Sequence, residues 1–220
     1  MVRLKRVTES VDHVESLKTL LKFYSKNPEN WDKEWSVNPY YLVDLKKYGA
    51  GNCVCGHAIR YQYQLLNSIT GKKFPVGSVC VHLLNLSKFD EAVDRLERVN
   101  QMATQELDFN LSPSEFVKKY KKFYTPQNIE ALIDSVGDLG LSKFQLNLYN
   151  EFYSKRKLDE YTATKMKEVI EVLHNKSKVF IEEIERKSKP VTQDQVQDIV
   201  NDSAEEMLKF AKAKQNQLPF

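Results

Sequence analysis

Apolar residues recur at helical spacing over most of the chain. Val11, Val14, Leu17, Leu21 and Tyr24 fall three to four positions apart, which predicts an amphipathic helix over 10–25 that stops before Pro28. Phe89, Val93, Leu96, Val99 and Met102 form one stripe over 87–105, opened by Ser87 and Asp90 as a capping pair. Ser112 with Glu115, Thr125-Pro126, and Ser142 with Gln145 open further helices, the middle one closed by Gly137. Met166, Ile170, Leu173, Ser177, Phe180 and Ile184 then follow a heptad over 162–187, broken in character at Ser177. Thr192 caps a last helix, with Val196, Ile199, Ser203, Met207 and Phe210 along a narrow seam.

One region has a different period. Ile59, Tyr61, Tyr63 and Leu65 alternate with Arg60, Gln62 and Gln64, as in a half-buried strand. Asn67 to Lys73 supply a turn with Gly71, Phe74-Pro75-Val76 return as a second strand, and Gly77-Ser78 cap a helix entering at Cys80. Upstream, Asn38-Pro39 predicts a short helix through Tyr48, broken by Gly49-Ala50-Gly51-Asn52. The fold expected is therefore mostly α (α+β). A small β-hairpin/helix module is embedded among amphipathic helices, and a C-terminal helical pair follows. An edge near residue 158 divides a helical domain of 1–158, holding the module at 53–88, from a helical hairpin or arm at 159–220.

Composition narrows the classes. Hydrophobic residues make up 41% of the 220, enough for a core, and only seven glycines and seven prolines argue against a sheet with many turns. A net charge of +3 is too small to argue nucleic-acid binding by itself. The first ten residues are basic without an apolar run, and no stretch reaches the roughly 18 apolar residues of a membrane span, so neither a signal peptide nor a span is expected. A cytoplasmic location follows.

The chemistry is concentrated between Cys53 and His82, which enclose all three cysteines and two of the four histidines. Thiols and imidazoles in two short clusters, Cys53-x-Cys55-Gly56-His57 and Cys80-x-His82, joined by a hairpin, are what a tetrahedral Zn²⁺ needs. Cys53, Cys55 and Cys80 supply three ligands. His57 is the fourth if residues 79 onward are helical, because His82 then lies about 200° around the axis from Cys80. His82 is the alternative if they are extended.

Cys53-x-Cys55-Gly56-His57-x-Ile59, Asn67 and Val76-Gly77-Ser78-x-Cys80 together resemble a treble-clef-like zinc module found in uncharacterised tailed-phage proteins. The resemblance implies a structural zinc ion and a phage-encoded chain acting in the host cytoplasm. It implies no activity, since hosts of the module differ in the rest of their chains.

No glycine-rich phosphate loop, Gly-x-Ser-x-Gly or His-Glu-x-x-His occurs, and residues 53–88 hold no carboxylate to act beside a catalytic metal. A non-enzymatic binding protein is expected. Its surface for a host or phage protein of transcription, replication or defence would draw on Trp31, Trp35, Val196, Ile199, Met207 and Phe210, although the tryptophan pair reads more readily as a core plug covering the zinc module, and the C-terminal helices offer a route to dimerisation. The alternative is DNA or RNA binding through Arg60, Lys72 and Lys73 of the hairpin and the Lys118, Lys119, Lys121 and Lys122 face, where lysines interleave with aromatics.

Overall fold

In the computed structural model backbone is described for residues 2–49 and 51–215, and side chains for 13–49 and 51–213. The side chain of Val11, first in the predicted stripe, lies outside the described residues. In chain order the elements begin with α1 (Val2–Phe23), α2 (Trp31–Glu34), β1 (Trp35–Val37), β2 (Val43–Asp44), β3 (Gly51–Asn52), β4 (Ala58–Ile59), β5 (Tyr61–Asn67) and β6 (Lys73–Val76). They continue with α3 (Ser78–Leu83), α4 (Ser87–Ala103), α5 (Pro113–Tyr120), α6 (Pro126–Val136), α7 (Lys143–Tyr153), α8 (Glu160–Lys187) and α9 (Gln193–Gln215). The fold is mostly helical, 63% helix against 10% strand. No helix among the described residues is long and apolar enough to cross a membrane.

Two compact units divide the chain, Met1–Val93 with Lys187–Phe220, and Asp94–Arg186. The expected edge near residue 158 falls inside the second. Local pairing inside the helical spans does not reveal which distant segment a helix joins, and α9 returns to the first unit.

In the first unit β5 is the hub of a four-stranded sheet. It pairs antiparallel with β1 through Leu65–Asn67, with β2 through Tyr61–Gln62 and with β6 through Tyr63–Leu66. The short helix expected over 38–48 is absent because Val43 and Asp44 pair with β5 instead. Asp44 then caps a 3-10 turn, Leu45–Lys47, by accepting from Lys46 N. Leu17 and Leu21 of α1, Trp35, Tyr63, Leu65 and Phe74 make the core, and each buried side chain of this size contributes about 2–3 kcal/mol. Trp35 stacks on Phe74 and donates to Leu21 O at 3.1 Å and Ser25 Oγ at 2.9 Å, so of the two roles open to it, core plug and partner anchor, it takes the first. Gln62, read as a polar-face position of the strand, and Asn67, read as the start of the turn, are fully buried and hydrogen-bonded.

α9 packs by its seam within this unit. Val196 and Ser203 are buried, and Tyr24 Oη donates to Glu206 Oε2 at 2.7 Å. Val196 is thus unavailable to a partner. Ile199 and Met207 are half-buried, and Phe210 is 53% exposed with its ring edge against Phe23.

The second unit is helical. Its core holds Leu96, Val99, Met102, Phe116, Tyr120, Tyr124, Tyr149, Met166, Ile170 and Leu173. Helix starts follow the predicted chemistry: Ser142 Oγ accepts from Gln145 N while Gln145 Oε1 accepts from Ser142 N, and Thr125 Oγ1 accepts from Asn128 N. Ser177 interrupts the heptad as a buried residue whose hydroxyl donates to His174 O.

Candidate metal centre

The first two thiols sit on a knuckle whose shape is local. β3 and β4 pair at Gly51–Ile59 and Asn52–Ala58, and Cys53 N donates to His57 O at 2.8 Å across the turn. Gly56 N donates back to Cys53 O at 2.8 Å, and Gly56 takes φ +91°, a conformation open to glycine and costly for a residue with a Cβ. Val54 N donates to Pro75 O, which fastens the knuckle to β6. The third thiol comes from the first turn of α3, where Gly77 lets the chain pass close against Ile59.

These elements bring Cys53, Cys55 and Cys80 together, with all three sulfurs within 4.8 Å of one another and Cys55 and Cys80 3.1 Å apart. Thiolates on a tetrahedral zinc stand about 3.8 Å apart, so Cys55 and Cys80 need only spread by about 0.7 Å to become a ligand pair. Cys53 and Cys80 are buried and Cys55 is half-buried. The thiols perturb one another strongly. Hydrogen bonds from Cys53 and then Cys80 hold Cys55 down to about 2. The bond with Cys55 pushes Cys53 up to about 12, and the bond with Cys53 pushes Cys80 up as well. Unaided, the cluster favours one thiolate sharing two protons. A dication in place of those protons lets all three sulfurs ionise.

Two imidazoles adjoin the sulfurs. His57 Nδ1 lies 3.4 Å from Cys55 Sγ. His13, on α1, brings Nδ1 to 2.7 Å from the Cys55 carbonyl oxygen, and its ring centroid is 4.1 Å from that of His57. Donor atoms of His13, Cys55 and His57 also lie within 4.8 Å of one another, so Cys55 is common to both groups. His13 was not anticipated from the sequence. A lone histidine beside an apolar stripe has no spacing relation to thiols some forty residues away, and its place on the helix was the only signal.

His82 is elsewhere. α3 is helical, which turns His82 away from Cys80, and its Nδ1 meets Asp90 Oδ1 at 2.9 Å. The same contact occupies the carboxylate expected to cap α4 at Ser87.

The residues named for binding are dispersed. Trp31 is half-buried. Arg60 pairs with Asp44 at 3.5 Å and lies over Tyr61, and Lys72 lies over the Tyr24 ring, while Lys73 is exposed. In the second unit Phe116 and Tyr120 are core residues, so they are not free to stack on bases. Lys118, Lys119 and Lys122 are exposed, but Lys121 Nζ donates to Tyr153 O and Lys155 O, both at 2.9 Å.

The comparisons with protein-family models, curated proteins and solved structures found no match to this chain.

Proposed function

We propose that the chain is a non-enzymatic binding protein stabilised by a structural zinc ion, held by Cys53, Cys55, Cys80 and one of the adjoining histidines. The observation that carries this reading is the convergence of three thiols from two distant segments, with imidazoles alongside. A sulfur-rich donor set favours zinc over the harder divalent ions, and three thiolates with one imidazole is a closed set of the structural kind. The treble-clef-like module of tailed-phage proteins, resembled at Cys53–Cys80, adds the biological setting: an accessory factor in the host cytoplasm that binds a host protein of transcription, replication or defence. Exposed Leu208 and Phe210 on α9 are the apolar contacts such a partner would use, since Trp35 and Val196 are buried.

Metal analysis of protein purified without added zinc tests the first half and should give about one equivalent per chain. Cys80→Ser should lose the metal and the order of residues 51–83, because binding and folding of such a module are coupled. His82→Ala should keep both. A metal-free preparation of undiminished stability would end the proposal. For the second half, captured partners are challenged with salt. A helix–protein interface persists between low and physiological ionic strength, whereas nucleic-acid capture through the exposed lysines falls steeply.

A further inference from the structure

Three thiolates leave a tetrahedral zinc one ligand short, and two imidazoles lie beside Cys55, one of the three. Resting on the metal-centre reading above, we propose that His13 of α1, and not His57 of the knuckle, supplies the fourth bond, so that the ion ties α1 to the β-hairpin/helix module.

The hydrogen bonding separates the two rings. His13 Nδ1 is 2.7 Å from the Cys55 carbonyl oxygen, which only accepts, so Nδ1 carries a proton and Nε2 is the nitrogen left to bond an ion. Imidazoles that bind metals are set in this way, one nitrogen donating to a carbonyl or carboxylate and the other bonding the ion. The carbonyl here belongs to a thiol ligand, which places the ring at the cluster. His57 lacks that orientation. Its Nδ1 lies 3.4 Å from Cys55 Sγ, about the spacing of two ligands on one ion, but among the described residues no carbonyl or carboxylate orients its other nitrogen. Its main chain is already committed to the turn through Cys53 N. His57 is then the neighbour that packs against His13, with ring centroids 4.1 Å apart.

The chain positions agree. A ligand from His57 would add a third bond to a knuckle that Cys53 and Cys55 already close. A ligand from His13 joins the module to α1, a separate element whose Leu17 and Leu21 are buried in the core of the same unit. His82 is held by Asp90 and does not compete.

The test uses the full chain, labelled with ¹⁵N-histidine and loaded with Zn²⁺ alone. A long-range ¹H–¹⁵N spectrum distinguishes a metal-bound imidazole nitrogen from protonated and free ones. One metal-bound imidazole is expected, and its signal should vanish in His13→Asn and remain in His57→Asn. Zinc affinity, measured by competition with a chelator, should drop at least about tenfold in His13→Asn. It should stay within about threefold in His57→Asn. Asparagine at position 13 retains an N–H for the Cys55 carbonyl, so loss of that contact is not the variable, and circular dichroism confirms that the variant is folded. A metal-bound signal that survives in His13→Asn, that belongs to another histidine, or that is missing from the parent chain overturns the assignment. Zinc content of the same samples separates the two claims. About one equivalent without a His13 signal removes this ligand alone, and no zinc at all removes the metal centre with it.

Discussion

At Gly77 a single hydrogen atom lets two segments of the module meet. A Cβ there would stand 2.5 Å from Ile59 Cγ2 and 3.4 Å from Ile59 Cβ, so the branched side chain of β4 has to move before any larger residue fits. Gly77 leads into the turn of α3 that carries Cys80, and a shift at this point displaces the third thiol from the other two. Gly77→Ala is expected to cost about 1–3 kcal/mol in urea unfolding of the zinc-loaded protein. An unchanged midpoint would show that Ile59 yields freely. Asn67 has a comparable role in the hairpin. Its Oδ1 accepts from Ile69 N and Thr70 N, and its Nδ2 donates to Glu34 Oε2 at 3.2 Å. Burial raises the pKa of Glu34, but the amides of Asn27 and Lys26 and the Asn67 side chain lower it further, so the carboxyl lies below its ordinary range.

Among the elements, β5 owes its central place to polar as well as apolar contacts. Gln62 Oε1 accepts from Tyr41 Oη at 2.8 Å and from Val191 N at 2.9 Å, and its Nε2 donates to Val191 O at 3.0 Å. Tyr41 Oη also lies 2.7 Å from Lys189 O, and burial pushes its pKa up to about 12. The segment between α8 and α9 is thereby clipped to the sheet, and the clip leads the chain to the place where Val196 and Ser203 are covered. Gln62→Leu keeps the volume but strands the backbone N–H and C=O of Val191. It should cost about 1–3 kcal/mol and speed amide exchange at Val191, measured by denaturation and hydrogen exchange. A neutral result would mean that water takes over both groups. Because α9 covers part of the first unit, removing residues 190–220 is expected to weaken that unit as well as any partner contact.

For the whole molecule, the two units differ in what stabilises them. The first combines a small sheet with the thiol cluster, and the second is a set of helices around a buried polar centre. In that centre His174 Nδ1 lies 3.0 Å from Tyr124 Oη and 3.2 Å from Met102 O. Burial lowers the His174 pKa, Lys178 adds to the effect, and the Met102 carbonyl opposes it. The folded state therefore binds a proton less readily than the unfolded one. Stability is full above the unfolded value of about 6.5, declines as the pH falls below it, and levels off once the folded pKa is passed. Urea unfolding followed by far-ultraviolet circular dichroism should give a lower midpoint at about pH 5.5 than at about pH 7.5, and His174→Gln should reduce the difference. A variant with the parent's pH dependence would assign the effect to other groups. Both tryptophans lie in the first unit, so their emission follows that unit separately.

What was legible in the sequence was what short-range geometry decides. The period of apolar residues located the helices, capping residues such as Ser142 and Thr125 located their starts, and the spacing of Cys53, Cys55 and Cys80 around a hairpin located the thiol cluster. Each depends on residues close in the chain, where helix pitch and strand alternation leave few choices. Tertiary structure decided which surfaces meet. Strand pairing to β5 overrode the helix expected over 38–48, and packing within the first unit buried Val196 and Ser203 of the α9 seam. Gln62 is inside because it serves the backbone of Val191, and Asn67 because its amide meets the Glu34 carboxylate, partners brought there by other segments, which alternation cannot indicate. His82 turned to Asp90 because α3 is a helix. His13 reached Cys55 because α1 packs on the module, a relation set by the balance of many apolar contacts and by no local rule.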